Sequence, residues 1–265
     1  IGPGKFLSSK GIEVMHDLPG VGENLHDHLQ VRTVYKVQNT ITLNQRANSF
    51  IGKTMMGLEY LLFRTGPLTM PPSQLGAFAK SDSNQPTANI EWHVQPLSLD
   101  KFGDPLHKFN AITPAVCNLR PTSRGHVRIK TSRPEEYPAI TLNYLSTEED
   151  RKIAVDGLKF TRRIMAAKAL DKFKPLEWKP GPEVTSEEEL YKAASDLGTT
   201  IFHPVGSCKM GNDAMAVVNE KLQVHGVERL RVIDASIMPR ITSGNTNAPT
   251  VMIAEKGAEF ILKDC

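Results

Sequence analysis

Ile90-Glu-Trp-His-Val-Gln-Pro96 alternates apolar Ile90, Trp92 and Val94 with polar Glu91, His93 and Gln95. This is the period-two pattern of a strand whose one face enters a core while the other can line a cavity. Working outward, residues 31–37, 75–79, 89–94, 111–118 and 126–130 are similar short runs, each bounded by Pro, Gly, Asn or Ser, as expected between sheet strands. Helical patterns interrupt and follow them. Residues 48–63 read as a helix that stops before Gly66-Pro67. Ser146 with Glu149, and Thr185 with Glu188, read as capping boxes ahead of helices running to about residues 170 and 197. The stretch 174–182 between those helices holds Pro175, Pro180 and Pro182 and reads as loop. The pattern is that of an α+β fold with an antiparallel sheet and covering helices.

Composition narrows the function. The 265 residues are enough for one large domain or two ordinary ones, and a hydrophobic fraction of 40% supports a sizeable core. Lys+Arg at 32 against Asp+Glu at 29 gives +3, with no basic run interleaved with aromatics, which argues against nucleic acid as a partner. Cys117, Cys208 and Cys265 are far apart and odd in number, so they build neither a disulfide framework nor a CxxC metal pattern, and they lean towards a reducing compartment. No apolar run has the length of a membrane span. No signal peptide is visible, and the chain opens at Ile1-Gly2-Pro3-Gly4 without Met, which reads as a piece of a longer chain.

Both ends carry the chemistry-bearing residues. Residues 1–28 are rich in Gly, His and Asp and read as loop with a short helix around 5–10. Arg229-Leu-Arg-Val-Ile-Asp234 reads as a short strand ending in an acidic residue, where ligands of open α/β sheets collect. Residues 247–262 read as a helix with Asn247 as N-cap and Pro249 in its first turn. His203, beside Pro204 in a Gly-rich loop, is either structural or a proton acceptor, since neutral imidazole is the natural base near neutral pH. His16, His26, Asp27 and His28 cluster in sequence. His26 and His28 alternate without a supporting Cys pair or HExxH helix, so the expectation is no metal. Glu91 and Trp92 point to opposite faces of their strand, which weakens a reading of the pair as a cation pocket.

Three segments together resemble the glucose–methanol–choline (GMC) family of flavin oxidoreductases. They are Gly20-Val-Gly-Glu-Asn-Leu-His-Asp-His28, Phe202-His-Pro-Val-Gly-Ser-Cys-Lys-Met-Gly211, and Leu230-Arg-Val-Ile-Asp-Ala-Ser-Ile-Met-Pro239 followed by Ser243-Gly-Asn-Thr-Asn-Ala-Pro-Thr250. Pro121-Thr-Ser-Arg-Gly-His-Val127 and Gly66-Pro-Leu68 also fit, so the resemblance spans the whole chain in the family's order. It is nearest the choline-dehydrogenase-like branch. The resemblance implies FAD as cofactor, His203 as the base that takes the substrate's hydroxyl proton, and Asn247 as the amide that holds the substrate oxygen. It implies cofactor contacts from Asp234, Ala235, Asn24 and Ala248, with the N-terminus of the helix from 247 placed to stabilise negative charge on the flavin.

Neither Gly2-Pro-Gly4 nor Gly20-Val-Gly22 completes a GxGxxG turn, because Leu7 and Leu25 stand at the third position. By the resemblance, that fingerprint belongs to an N-terminal FAD-binding half that precedes this sequence and acts as a partner to it. The expected organisation is a flavin-domain loop segment over 1–28, an α+β substrate-binding domain over 29–198, and over 199–265 the C-terminal segment of an FAD-binding α/β domain with the catalytic residues. The expected reaction is oxidation of the CH–OH group of choline or another primary alcohol. Hydride passes to flavin N5, and electrons go on to oxygen or a quinone. The rival readings are a hydroxynitrile-lyase activity on the same fold and a truncated chain that binds no FAD. The expected location is the cytoplasm, with peripheral membrane association as a variant.

Overall fold

The computed structural model describes residues 1–71 and 73–264; Cys265, counted above among the cysteines, lies outside the described residues. The chain divides into two compact units. One comprises Ile1–His28, Leu119–Asp150 and the chain from Thr200; the other comprises Leu29–Asn118 and Arg151–Thr199. Residues 119–150 therefore belong with the first unit, inside the stretch that sequence reading gave to substrate binding.

The second unit is built on a seven-stranded sheet. Its strands are β1 (Leu29–Arg32), β2 (Val34–Lys36), β3 (Leu75–Ala79), β4 (Ile90–Gln95) and β5 (Ala111–Asn118), with β8 (Leu176–Lys179) and β9 (Gly198–Thr200) returning later in the chain. The order is β3-β4-β5-β1-β9, with β2 pairing β5 and β8. The pairings of β4 with β3 and β5, of β5 with β1, and of β2 with β5 and β8 are antiparallel.

The expected strand over 31–37 is split at Thr33. Pro114 in β5 has no N–H to give a neighbour, and its carbonyl instead accepts the Thr33 hydroxyl at 2.7 Å. β1 pairs with β5 as far as Arg32 opposite Ala115, and β2 resumes with Tyr35 opposite Ile112.

The expected loop over 174–182 contains β8, flanked rather than interrupted by Pro175 and Pro180. Arg162 holds this segment by pairing with Glu177 at 2.9 Å and donating to the carbonyls of Gly181 and Val184.

The helix expected over 48–63 is α3 (Phe50–Phe63), and a further short helix, α2 (Leu43–Asn48), precedes it. Ser49 restarts the helix by accepting the Gly52 N–H on its side chain. The long helix α4 (Glu148–Met165) lies against the sheet through Trp92, whose indole N–H donates to Thr161 Oγ1 at 2.8 Å and whose ring meets Phe160 at 4.9 Å. It starts after Thr147, whose hydroxyl accepts the Asp150 N–H, whereas the Ser146 N–H donates to Ser123. In α5 (Glu187–Leu197) the capping box is Ser186 with Glu189, one residue beyond the expected pair.

β4 departs from simple two-facedness. Ile90, Trp92 and Glu91 are all buried, Glu91 at 2% exposure.

The first unit holds α1 (Gly4–Ser9), the ribbon of β6 (His126–Arg128) and β7 (Ala139–Thr141), and α6 (Asn247–Asp264). Its core gathers Leu18, Val205, Val217, Val218, Leu222, Ile237, Met238 and Ile253. Residues 229–234 form no ladder among the described residues; Arg231 makes an isolated bridge to Gln223, so the strand expected there is not observed. α6 packs closely on that segment because residue 257 is Gly: a Cβ there would meet Ile233 Cγ2 at 2.4 Å. The helix begins at Asn247 itself, so Asn247 stands in the first turn rather than capping it.

Candidate active site

The site is built within the first unit around His203. Phe202, immediately before it, holds φ 65°, a left-handed backbone that an aromatic residue adopts at a cost of about 1–3 kcal/mol. The strain is held from both sides. The Phe202 N–H donates to Thr200 Oγ1 at 2.8 Å, and the His203 N–H donates to Asp27 Oδ1 at 2.9 Å. Asp27 is buried, and its Oδ2 accepts the hydroxyls of Tyr144 and Thr200, each at 2.5 Å. Burial, and then the Asp27 carboxylate, push the Tyr144 hydroxyl well above its ordinary pKa, so it stays a donor.

The His203 ring is held at both nitrogens. Nδ1 lies 3.1 Å from Nδ1 of the fully buried His28, the rings meeting edge-on with centroids 5.3 Å apart. Nε2 lies 3.5 Å from Asn245 Nδ2. His28 Nε2 is 3.1 Å from the Leu119 carbonyl.

Residues 24–28 brace the loops that meet here. Asn24 Nδ2 donates to the carbonyls of Gly206 and Pro239, both at 3.3 Å, and its Oδ1 accepts from Arg124 Nε at 2.9 Å. Buried His26 donates from Nδ1 to the Asn24 carbonyl at 2.6 Å and accepts the Ile241 N–H on Nε2 at 2.9 Å. Burial lowers its pKa to about 4, so it is a neutral strut. Gly206 permits the close approach: its φ is +95°, and a Cβ would meet the Asn24 carbonyl oxygen at 2.5 Å.

Of the residues named from sequence, His203 is at the centre and Asn24 ties its loop to the one before α6. Asp234 caps the turn Ala235–Ile237, its side chain accepting the Ser236 N–H at 2.7 Å. That turn is joined to the His203 loop, since the Cys208 and Met210 N–H groups donate to the Ser236 and Ile237 carbonyls. Asn247 and Ala248 are exposed in the first turn of α6.

Sequence reasoning did not single out Asn245, the amide that the structure sets beside His203 Nε2, nor Tyr144. Asn245 lies inside the quoted Ser243–Thr250 motif two residues before Asn247, so the signal was present but the position was ambiguous. Nothing local marks Tyr144.

In the sheet unit, Glu91, His93 and Cys117 bring one ligand atom each within 4.8 Å of one another. Glu91 Oε2 is buried without a hydrogen-bond partner among the described residues, and His93 Nε2, which makes no hydrogen bond there either, lies 3.4 Å from Glu91 Oε1. Strand pairing gathers them, since Glu91 is opposite Cys117 and His93 follows on the same face of β4.

A sheet unit with covering helices thus occurs in a chain whose other unit wedges a histidine between a second histidine and an amide. The chain belongs to the GMC oxidoreductase family, whose model matches residues 121–254 and so takes in His203, Asp234, Asn245 and Asn247. It is 41% identical over 98% of its length to an oxygen-dependent choline dehydrogenase of Pseudomonas fluorescens, covering 46% of that protein. It is 41% identical over 99% of its length to an alcohol dehydrogenase [acceptor] of Pseudomonas putida, covering 48%. The chain thus spans about half the length of the curated relatives it matches. Among solved structures, pyridoxine 4-oxidase from Mesorbium loti superposes with TM-score 0.82 at 27% identity, over 98% of this chain and 47% of that one. A formate oxidase from Aspergillus oryzae shares the fold with TM-score 0.91 at 24% identity, over 100% of this chain and 51% of its own.

Proposed function

We propose that the full-length protein carrying this chain is an FAD-dependent oxidoreductase that oxidises the CH–OH group of an alcohol, choline-like or another primary alcohol. The observation that supports it most is the His203–Asn245 pair, a base and an amide donor 3.5 Å apart.

The residues present fit a flavin. Thr242 Oγ1 is buried without a hydrogen-bond partner among the described residues, close in sequence to both Asn245 and α6. The exposed first turn of an 18-residue helix supplies a positive dipole end at Asn247 and Ala248. With Asp234, Ala235 and Asn24, these are the groups that would hold the cofactor. When bound, FAD supplies the acceptor for the hydride.

This chain's own part is proton handling and positioning. His203 Nε2 takes the hydroxyl proton of the substrate, which raises electron density on the oxygen and weakens the adjacent C–H bond. Asn245 Nδ2 donates to that oxygen as charge develops, taking the amide role that sequence reading gave to Asn247. Asn247 keeps its place at the head of α6. Asp27, itself fixed by Tyr144 and Thr200, holds the His203 backbone so that the ring does not drift. Choline and simple primary alcohols are the substrate classes, and oxygen or a quinone the electron acceptor.

Anaerobic addition of a primary alcohol to the full-length protein tests the reading against its lyase rival. Bleaching of the flavin absorbance is the expected result, and an unreduced flavin with substrate cleavage would contradict it.

No helix among the described residues is long and apolar enough to cross a membrane. Peripheral association is proposed through α3, which exposes Phe50, Ile51, Leu61, Leu62 and Phe63. The full-length protein should pellet with phosphatidylcholine–phosphatidylglycerol vesicles and its Phe63→Asp variant should pellet less; equal pelleting would contradict this.

A further inference from the structure

We propose that His28 is a positioning residue that fixes the tautomer of His203, leaving the Nε2 lone pair directed at the substrate side. The inference rests on the reading of His203 as the base. The protons are assigned from what each nitrogen faces. The Leu119 carbonyl only accepts, so His28 Nε2, 3.1 Å away, carries a proton. Neutral His28 then has its lone pair on Nδ1. Across 3.1 Å that lone pair faces His203 Nδ1, and the contact is a hydrogen bond only if His203 Nδ1 holds the proton. His203 Nε2 is left unprotonated, beside the N–H donor of Asn245 at 3.5 Å.

The chain carbonyl–His28–His203 thus does for this imidazole what a carboxylate does for the base of a triad: it selects which nitrogen is basic and where it points. It also holds when His203 accepts a proton, because Nδ1–H continues to donate to His28. A second proton on His28 would instead set two N–H groups against each other. His28 is 0% exposed, so water cannot substitute for either contact.

Two variants separate the halves of the relay. His28→Gln can still donate to the Leu119 carbonyl but offers no acceptor at the Nδ1 position. His28→Asn places its amide oxygen near that position while losing the tie to Leu119. The full-length flavoprotein is labelled with ¹⁵N-histidine, and the ring nitrogens of His203 are assigned by difference from His203→Ala. In the unmutated protein the proton should sit on Nδ1. In His28→Gln the Nε2–H form should appear and kcat should fall about tenfold with KM within about twofold, as follows from losing one hydrogen bond of ordinary strength. His28→Asn should keep the Nδ1–H form and a rate within about threefold.

A proton on His203 Nε2 in the unmutated protein overturns the relay, as does equal loss in both variants without any change of tautomer. The ring-nitrogen spectrum decides the relay whether or not His203 proves to be the base. Turnover of His203→Ala decides that reading separately.

Discussion

The backbone N–H of His203 donates to Asp27 Oδ1 at 2.9 Å, across 176 positions of sequence. This one bond fixes the residue that follows the left-handed Phe202, and the other oxygen of Asp27 is already committed to Tyr144 and Thr200.

A carboxylate that receives three donors while buried has no spare room for a donor of its own. Asp27→Asn should therefore set an amide N–H against a hydroxyl or the His203 N–H. It should cost about 1.5–3 kcal/mol, the usual worth of hydrogen bonds to a charged group, and slow turnover. Urea unfolding and turnover of the full-length variant measure both. A stability within about 0.5 kcal/mol of the parent, with an unchanged rate, would show that Asp27 is not the anchor.

His26 gives a pH dependence. Its folded-state pKa is held at about 4, against an ordinary value near 6.5, because burial disfavours the imidazolium. The unfolded chain therefore binds more protons between those values. The associated stability is fully present above about pH 6.5, falls as pH drops towards 4, and is then exhausted. The full span amounts to roughly 3 kcal/mol. Urea midpoints at pH 7 and pH 4.5 should differ less in His26→Gln than in the parent. Equal differences in both would mean that His26 titrates normally.

Two glycines near the site should behave oppositely. Gly206 holds φ +95° with the Asn24 carbonyl oxygen 2.5 Å from where a Cβ would stand, so Gly206→Ala should cost about 1–3 kcal/mol. At Gly244 nothing lies within 4 Å of that point, and Gly244→Ala should stay within about 0.5 kcal/mol. Thermal unfolding of the two variants side by side reads the contrast. Similar losses at both would remove the packing argument for Gly206.

Much of the sheet was legible because its signal is local. β3 and β5 have the bounds that alternation and flanking turn residues give, and β4 is shifted by one residue. What local pattern missed was decided by distant partners. β8 lies between prolines and is a strand because β2 and Arg162 hold it. Residues 229–234 have strand composition, yet the described residues give them only isolated pairings. The helix expected over 48–63 begins at 50, where the Ser49 side chain accepts the Gly52 N–H, and the short α2 before it was not expected.

In the site, the quoted motifs point to His203 and to the Ser243–Thr250 segment, and the structure sets an amide of that segment beside the His203 ring. Which of its asparagines faces the imidazole was not legible. Asn245 and Asn247 are two apart, on the approach to a helix whose start shifted by one position from N-cap to first turn. The contacts behind His203 come from Asp27 and His28, which the sequence presents only as part of a cluster with His16 and His26. Only the fold shows what they anchor.

The central claim is that His203 takes the substrate's hydroxyl proton. Its most direct measurement is the rate of flavin bleaching on rapid anaerobic mixing of alcohol with the full-length His203→Ala protein. Removing a general base should slow that rate by about 10²–10⁴-fold, while flavin content and unfolding midpoint stay near those of the parent. A loss of less than tenfold would contradict the claim and move proton abstraction to another group.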